Sequence, residues 1–265
     1  MLRYFSLILV ASLLLSCSKV PITGRRQLNM LPESQLMSMS LTNYQMFLSE
    51  HDVVGVSQNT AQQVQNVGAK MSKAVETFLA SEGQSKRVKD YTWEFNLVND
   101  EAVNAWAMPG GKVVVYSGLM PVALDETGLA VVMGHEIAHA IARHGNERMS
   151  QLLLLQAGGI GLAVAMSEKP KLTQDLFMMA YGVGSTLGSL SYSRKHESEA
   201  DKMGLVFMAL AGYNPEKAVD FWERMAANGG SKPPELLSTH PSSDRRISDI
   251  QEFLPLAMTY YKPKE

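Results

Sequence analysis

The sequence predicts an α+β fold, mostly helical, with a small β-sheet beside one apolar helix, and three observations carry that prediction. Apolar residues recur at spacings of three and four over residues 33–51 and 58–81, the period of amphipathic helices. The run from Tyr91 to Val98 alternates with period two, and Asn104 to Tyr116 reads as two short strands joined by a turn at Pro109, Gly110 and Gly111. A further helix, with Asp125 as its N-cap, runs through Leu129, Val132, Ile137 and Ile141, and Gly145 is placed to end it.

The chain of 265 residues, 46% hydrophobic and 19% charged, is long enough for one substantial core, or one core with a small satellite. Its formal net charge is -2, and lysines and arginines are scattered. A phosphate-backbone footprint is missing, so nucleic acid is not an expected partner.

Ahead of the helices, the first residues carry Arg3, an apolar run from Leu7 to Leu15, small residues and Cys17, the layout of a secretory signal peptide. The apolar run is shorter than the roughly 20 residues of a membrane-spanning helix. Cys17 is the only cysteine, which rules out an intramolecular disulfide. Leu14-Leu15-Ser16-Cys17 resembles a bacterial lipobox, in which the cysteine is acylated and becomes the mature N-terminus; the other reading is an ordinary signal peptide with an incidental thiol. Ser18 after the cysteine favours, in that resemblance, the outer membrane. The expected organisation is a signal peptide over 1–16, a lipidated tether with Pro21, Gly24 and Pro32 over 17–32, and one domain over 33–265.

Beyond the motif helix, residues 152–166 form a nearly uncharged stretch of about 15 residues, read as a buried or interface-lying helix, with a membrane span as the alternative. From residue 194 the chain is polar and helical again, with loops at Gly212 to Pro215 and Asn228 to Pro234. No internal repeat is evident.

The chemistry centres on His135-Glu136-Ile137-Ala138-His139. Histidines four residues apart share one helix face, with Cβ atoms about 5–6 Å apart, and can converge on one zinc ion. Glu136, beside the first ligand, is placed to act as a general base on a water activated by that ion. Surface histidines are the bland alternative, but Ile137, Ala138, Ala140 and Ala142 surround the pair, and imidazoles on an apolar face call for polar partners. A catalytic zinc takes a third protein ligand. Downstream, Glu197 and Asp201 are also four apart; Glu197 can complete the ligand set, and Asp201 can accept a hydrogen bond from a ligand histidine and fix its tautomer. Glu199 is read as solvent-facing. His51 in a loop, His144 in the last turn of the motif helix, where the dipole favours positive charge, and His196 off the ligand face are read as non-ligands.

Four blocks together resemble metallopeptidase family forty-eight, the gluzincin group of the CAAX prenyl proteases and the HtpX-like and Oma-like peptidases. They are Asn104 to Gly111, His135 to His139, Glu197 to Asp201, and Thr239 to Ile247. The resemblance implies a mostly helical zincin fold, one zinc ion held by His135, His139 and Glu197, Glu136 as the base, and Asp201 as the residue orienting a ligand. It implies that the strand at Asn104, Ala105, Trp106 and Ala107 is an edge on which an extended polypeptide substrate is laid by main-chain hydrogen bonds. His240 is similar to the family histidine that approaches the zinc, either supporting a developing oxyanion or filling the open coordination position in a closed state. Arg246 matches the family arginine and is grouped with Glu136 and His240. Trp106 stands where a smaller aromatic is usual, the paired transmembrane helices of the HtpX branch are missing, and the chain ends soon after the fourth block. The compact bacterial periplasmic lipoprotein branch is therefore the expected match. It implies an endopeptidase held by a lipid at the periplasmic face of the outer membrane, cutting misfolded or misassembled envelope proteins. The rival expectation is an envelope assembly factor or chaperone with a gated, mostly inactive zinc site.

Overall fold

The structure, a computed structural model, describes residues 17–157, 170–181, 193–228, 234–240 and 245–263. The expected signal peptide lies outside the described residues, as do residues 158–166 of the uncharged stretch, whose first part ends a helix. No helix among the described residues is long and apolar enough to cross a membrane.

The chain begins with two short antiparallel strands, β1 (Cys17–Lys19) and β2 (Arg26–Leu28), with Ser18 opposite Gln27. The segment read as a tether is thereby packed on the domain: Gln27 Nε2 donates to the Ala142 carbonyl at 2.7 Å, and Arg87 bonds both the Ile141 and the Lys19 carbonyls. Two long helices follow, α1 (Glu33–Glu50) and α2 (Asn59–Ser81), close to their expected bounds. In α2 the buried positions Val64, Val67, Met71, Val75 and Phe78 recur every three or four residues, so one stripe faces the core.

The sheet has the order β3-β5-β4. β3 (Glu94–Val98) runs parallel to β5 (Lys112–Tyr116), and β4 (Ala105–Met108) forms the expected hairpin with β5. Both faces are covered. Val113 and Val115 point into the main core with α2, while Val114 and Tyr116 join Tyr44 and Phe47 of α1 in a second cluster. Strand alternation thus divides one β-strand between two cores, and each fully buried valine contributes about 1.5–3 kcal/mol of burial.

After the short helix α3 (Met120–Ala123) comes the motif helix α4 (Glu126–Ala142), then α5 (His144–Ala157), α6 (Pro170–Tyr181), α7 (Arg194–Leu210), α8 (Lys217–Ala227), α9 (Glu235–Thr239) and α10 (Arg246–Met258). Asp125 caps α4 as expected, its Oδ1 accepting from Gly128 N at 2.9 Å. The other end differs from expectation. Arg143, in the left-handed conformation at φ 61°, stops the helix one residue after Ala142, and Gly145 lies inside α5. A side chain at Gly145 would come within 2.2 Å of the Tyr181 ring, so close helix packing rather than helix termination explains the glycine.

Candidate metal centre

Every residue of α4 from Gly128 to Ala142 is buried, so this helix is the core of the domain rather than an amphipathic element on its surface. It packs on α7, and the two backbones come together at Gly134 and Gly204. Gly204 shares its face of α7 with Asp201 and Glu197, three and seven residues earlier. The glycine contact therefore brings both carboxylates up to His135.

His135, His139, Glu197 and His240 offer ligand atoms that all lie within 4.8 Å of one another. His135 Nε2 is 3.1 Å from His139 Nε2 and 3.3 Å from His240 Nδ1; His240 Nδ1 is 3.1 Å from Glu197 Oε1, and Glu197 lies 3.3 and 3.5 Å from the His135 and His139 nitrogens. Four donors about 2.0–2.1 Å from a zinc ion at tetrahedral angles are spaced by about 3.3–3.4 Å, and these five separations, 3.1 to 3.5 Å, lie close to that value. All four residues are 4% exposed or less. Glu197 Oε2 and Glu136 Oε1 accept no hydrogen bond among the described residues, an arrangement that is costly unless a cation or substrate supplies the missing partner. The residues present fit zinc: three imidazoles and one carboxylate are its usual nitrogen and oxygen donors.

Each ring is also held from behind. His135 Nδ1 lies 2.8 Å from Asp201 Oδ1, so the proton sits on Nδ1 and the Nε2 lone pair points into the cluster. Asp201 in turn accepts from Arg246 Nη2 at 2.6 Å, and the Arg246 guanidinium lies 3.3 Å above the centre of the Trp222 ring. Arg246 therefore touches Asp201 and approaches Glu197 at 3.8 Å. Burial opposes ionisation of Glu197, but His240 and His135 hold its carboxyl far below the usual range. Burial pushes Glu136 up to about 7, with the His240 charge opposing. His240 Nε2 is 3.6 Å from Glu136 Oε1.

Three residues set aside in the sequence lie at the cluster's edge. His144 is the first residue of α5, not in the last turn of α4; it is fully buried, and its Nδ1 is 2.9 Å from His139 Nδ1. Burial pushes its imidazole down to about 4. Glu199, expected at the surface, is 5% exposed and lies 3.3 Å from His144 Nε2. The charged-looking helix face is covered by the N-terminal segment, which pattern reading on α7 alone does not reveal. His196 is buried against Glu147 at 3.1 Å, and His51 caps α1 and stacks on Phe47. β4 is an edge strand, but Asn104, Ala105, Trp106 and Ala107 are all buried, with Trp106 packed edge-on against Tyr44 and Phe47. Leu236 N donates to the Val103 carbonyl, laying α9 and the approach to His240 against the start of β4.

The model of Peptidase family M48 matches residues 58–254, which includes the whole cluster. The chain belongs to this family. This M48 chain is 33% identical over 246 residues to the mitochondrial metalloendopeptidase OMA1 of Schizosaccharomyces pombe, covering 90% of the chain and 66% of the relative. It is 29% identical over 266 residues to the mitochondrial metalloendopeptidase OMA1 of Homo sapiens, covering 97% of the chain and 49% of the relative. Against the beta-barrel assembly-enhancing protease of Escherichia coli it is 34% identical over 170 residues, 60% of the chain and 34% of the relative. The chain thus spans between about a third and two thirds of the length of these relatives. The M48 match spans the cluster, Asp201 and Arg246; Arg25 and Thr23, which reach Glu199, lie before the matched residues.

Proposed function

We propose that the chain is a zinc-dependent endopeptidase of the bacterial cell envelope. The observation that carries the reading is the convergence of His135, His139 and Glu197 with the unpartnered carboxylate oxygen of Glu136 beside them. When bound, a zinc ion there lowers the pKa of a water molecule to near 7 and polarises the carbonyl under attack. Glu136 takes the proton of that water and returns it to the leaving amine nitrogen; a carboxyl held near 7 can do both at neutral pH. Asp201 and Arg246 keep the His135 lone pair aimed at the cluster. His240 is close enough to Glu136 to face the same substrate oxygen, or to fill the fourth ligand position when no substrate is present. An extended polypeptide would lie along the β4 edge from Asn104 to Ala107, displacing what covers it.

The reading extends to location and substrate class. Acylation of Cys17 would hold the domain at the periplasmic face of the outer membrane, where misfolded or misassembled envelope proteins are the available substrates. The bacterial relatives, named as beta-barrel assembly-enhancing proteases, support this side; the mitochondrial relatives support the peptidase chemistry alone. A second reading, an assembly factor or chaperone with a gated zinc site, is favoured by one observation: His240 sits among the other three ligand residues and is 3% exposed.

Casein cleavage by the wild type and by Glu136→Gln, with zinc content measured on both, tests the proposal. Loss of at least a hundredfold in the variant with zinc retained is expected. Equal cleavage by both overturns the peptidase reading. Binding of unfolded casein without cleavage by either supports the gated assembly factor.

A further inference from the structure

We propose that Arg25 and Thr23, in the N-terminal segment, hold the ligand His139 in its metal-binding orientation through Glu199 and His144. The inference rests on the zinc site proposed above, and its geometry is independent of hydrolysis.

His139 turns Nε2 into the cluster, 3.1 Å from His135 Nε2, and leaves Nδ1 facing His144 Nδ1 at 2.9 Å. For Nε2 to offer a lone pair, the His139 proton must sit on Nδ1, and His144 Nδ1 must accept it. A neutral His144 with Nδ1 accepting carries its own proton on Nε2, the atom 3.3 Å from Glu199 Oε2. Glu199 is itself fixed on both oxygens: Oε2 accepts from Arg25 Nε and Oε1 from Thr23 Oγ1, each at 2.6 Å. The two terminal nitrogens of Arg25 fork onto Glu147 at 2.8 and 2.7 Å, and Glu147 also faces His196, whose ring stacks on His144 at 4.4 Å. The direction of both hydrogen bonds made by His144 follows from one requirement, a free lone pair on His139 Nε2.

The first ligand shows the same construction in shorter form. His135 is oriented by Asp201 and Asp201 by Arg246; His139 is oriented by His144, then Glu199, then Arg25. Two buried carboxylates and a guanidinium are costly to desolvate, and an apolar filling of similar volume is often as stable. A network that sets the proton on a metal ligand gives these charges a reason to be there. Its arginine and threonine come from residues ahead of the family match, so the N-terminal segment contributes to the metal centre as well as to the fold.

Zinc affinity of the full chain, measured by competition with a chromophoric chelator, and the visible spectrum of the cobalt-substituted protein test this. Arg25→Gln, Glu199→Ala and His144→Phe are expected to weaken zinc binding by about 10- to 100-fold and to alter the cobalt spectrum. His144→Gln, which can again accept from His139 and donate to Glu199, is expected to recover part of the loss. Arg87→Gln detaches the same segment from the end of α4 without touching these contacts, and serves as the control for mere loss of packing. The proposal is overturned if Arg25→Gln binds zinc as the wild type does, if Arg87→Gln loses as much affinity as Arg25→Gln, or if the wild type binds no zinc. A wild type that binds zinc but cuts no polypeptide overturns the peptidase reading and leaves this affinity comparison to decide the inference.

Discussion

Gly204 and Gly134 are in backbone contact: a Cβ on Gly204 would stand 2.9 Å from the Gly134 carbonyl carbon and 2.9 Å from the His135 nitrogen. The atoms in the way are main chain, so no rotamer change can relieve the clash. Gly204→Ala is therefore expected to push α4 and α7 apart and to cost about 1–3 kcal/mol, outweighing the roughly 1 kcal/mol gained in helix propensity. Thermal unfolding checks it. A melting temperature at or above that of the wild type would show that the helices can separate at no cost.

Asp201 joins Arg246 to His135, and removing its charge should loosen the ring it orients. Asp201→Asn is expected to lower zinc affinity by about 10- to 100-fold, while Asp249→Asn, a neighbour in the same region that touches no ligand, leaves it unchanged. Chelator competition on the two proteins makes the comparison, and similar affinities for both would remove Asp201 from the site's support.

His240 contributes the fourth nitrogen of the cluster, and a site with three protein ligands keeps a position open. His240→Ala should bind zinc more weakly and cleave casein several times faster at saturating zinc. A drop in cleavage of about a hundredfold would instead place His240 in stabilising the oxyanion.

Acid should unfold the chain in part through Glu147. Burial disfavours its charge, but bonds to Arg25 and His196 prevail and hold the folded carboxyl at about 2, below the usual 4.5. Folding is thus favoured by the ionised form: the contribution is complete above about pH 4.5 and disappears as pH falls toward about 2. Denaturant unfolding of the metal-free protein across that window should show falling stability, and Arg25→Gln should flatten the fall. An unchanged slope in the variant would count against the Arg25 pairing as its source.

Local pattern carried much of this molecule. The Asp125 cap, the hairpin at Pro109 to Gly111, and the paired spacings of His135 with His139 and Glu197 with Asp201 depend on residues within a turn or two of one another, and all were legible. The helix end at Arg143 was not, because Gly145 serves a contact with Tyr181 that no neighbouring residue announces. The same limit hid His144 and Glu199. Their partners are Arg25 and Thr23, 174 and 176 residues away from Glu199 in sequence, and a helix face that is covered by such a distant segment has the polar composition of one that meets water. Trp222 was missed for a related reason: an aromatic on an amphipathic helix reads as core, and its place beneath Arg246 exists only after α8 has docked.

The bond between His135 and His240 spans 105 residues, and Glu197 and Arg246 come from late in the sequence as well. During synthesis, the motif His135 to His139 emerges well before the residues that complete it, so a nascent chain at that stage carries an imidazole pair with no carboxylate ligand and no arginine behind it. Metal acquired at that stage would be held loosely and exchanged. The order of the residues along the polypeptide thus leaves the centre unfinished until the segments that carry Glu197, His240 and Arg246 have been made.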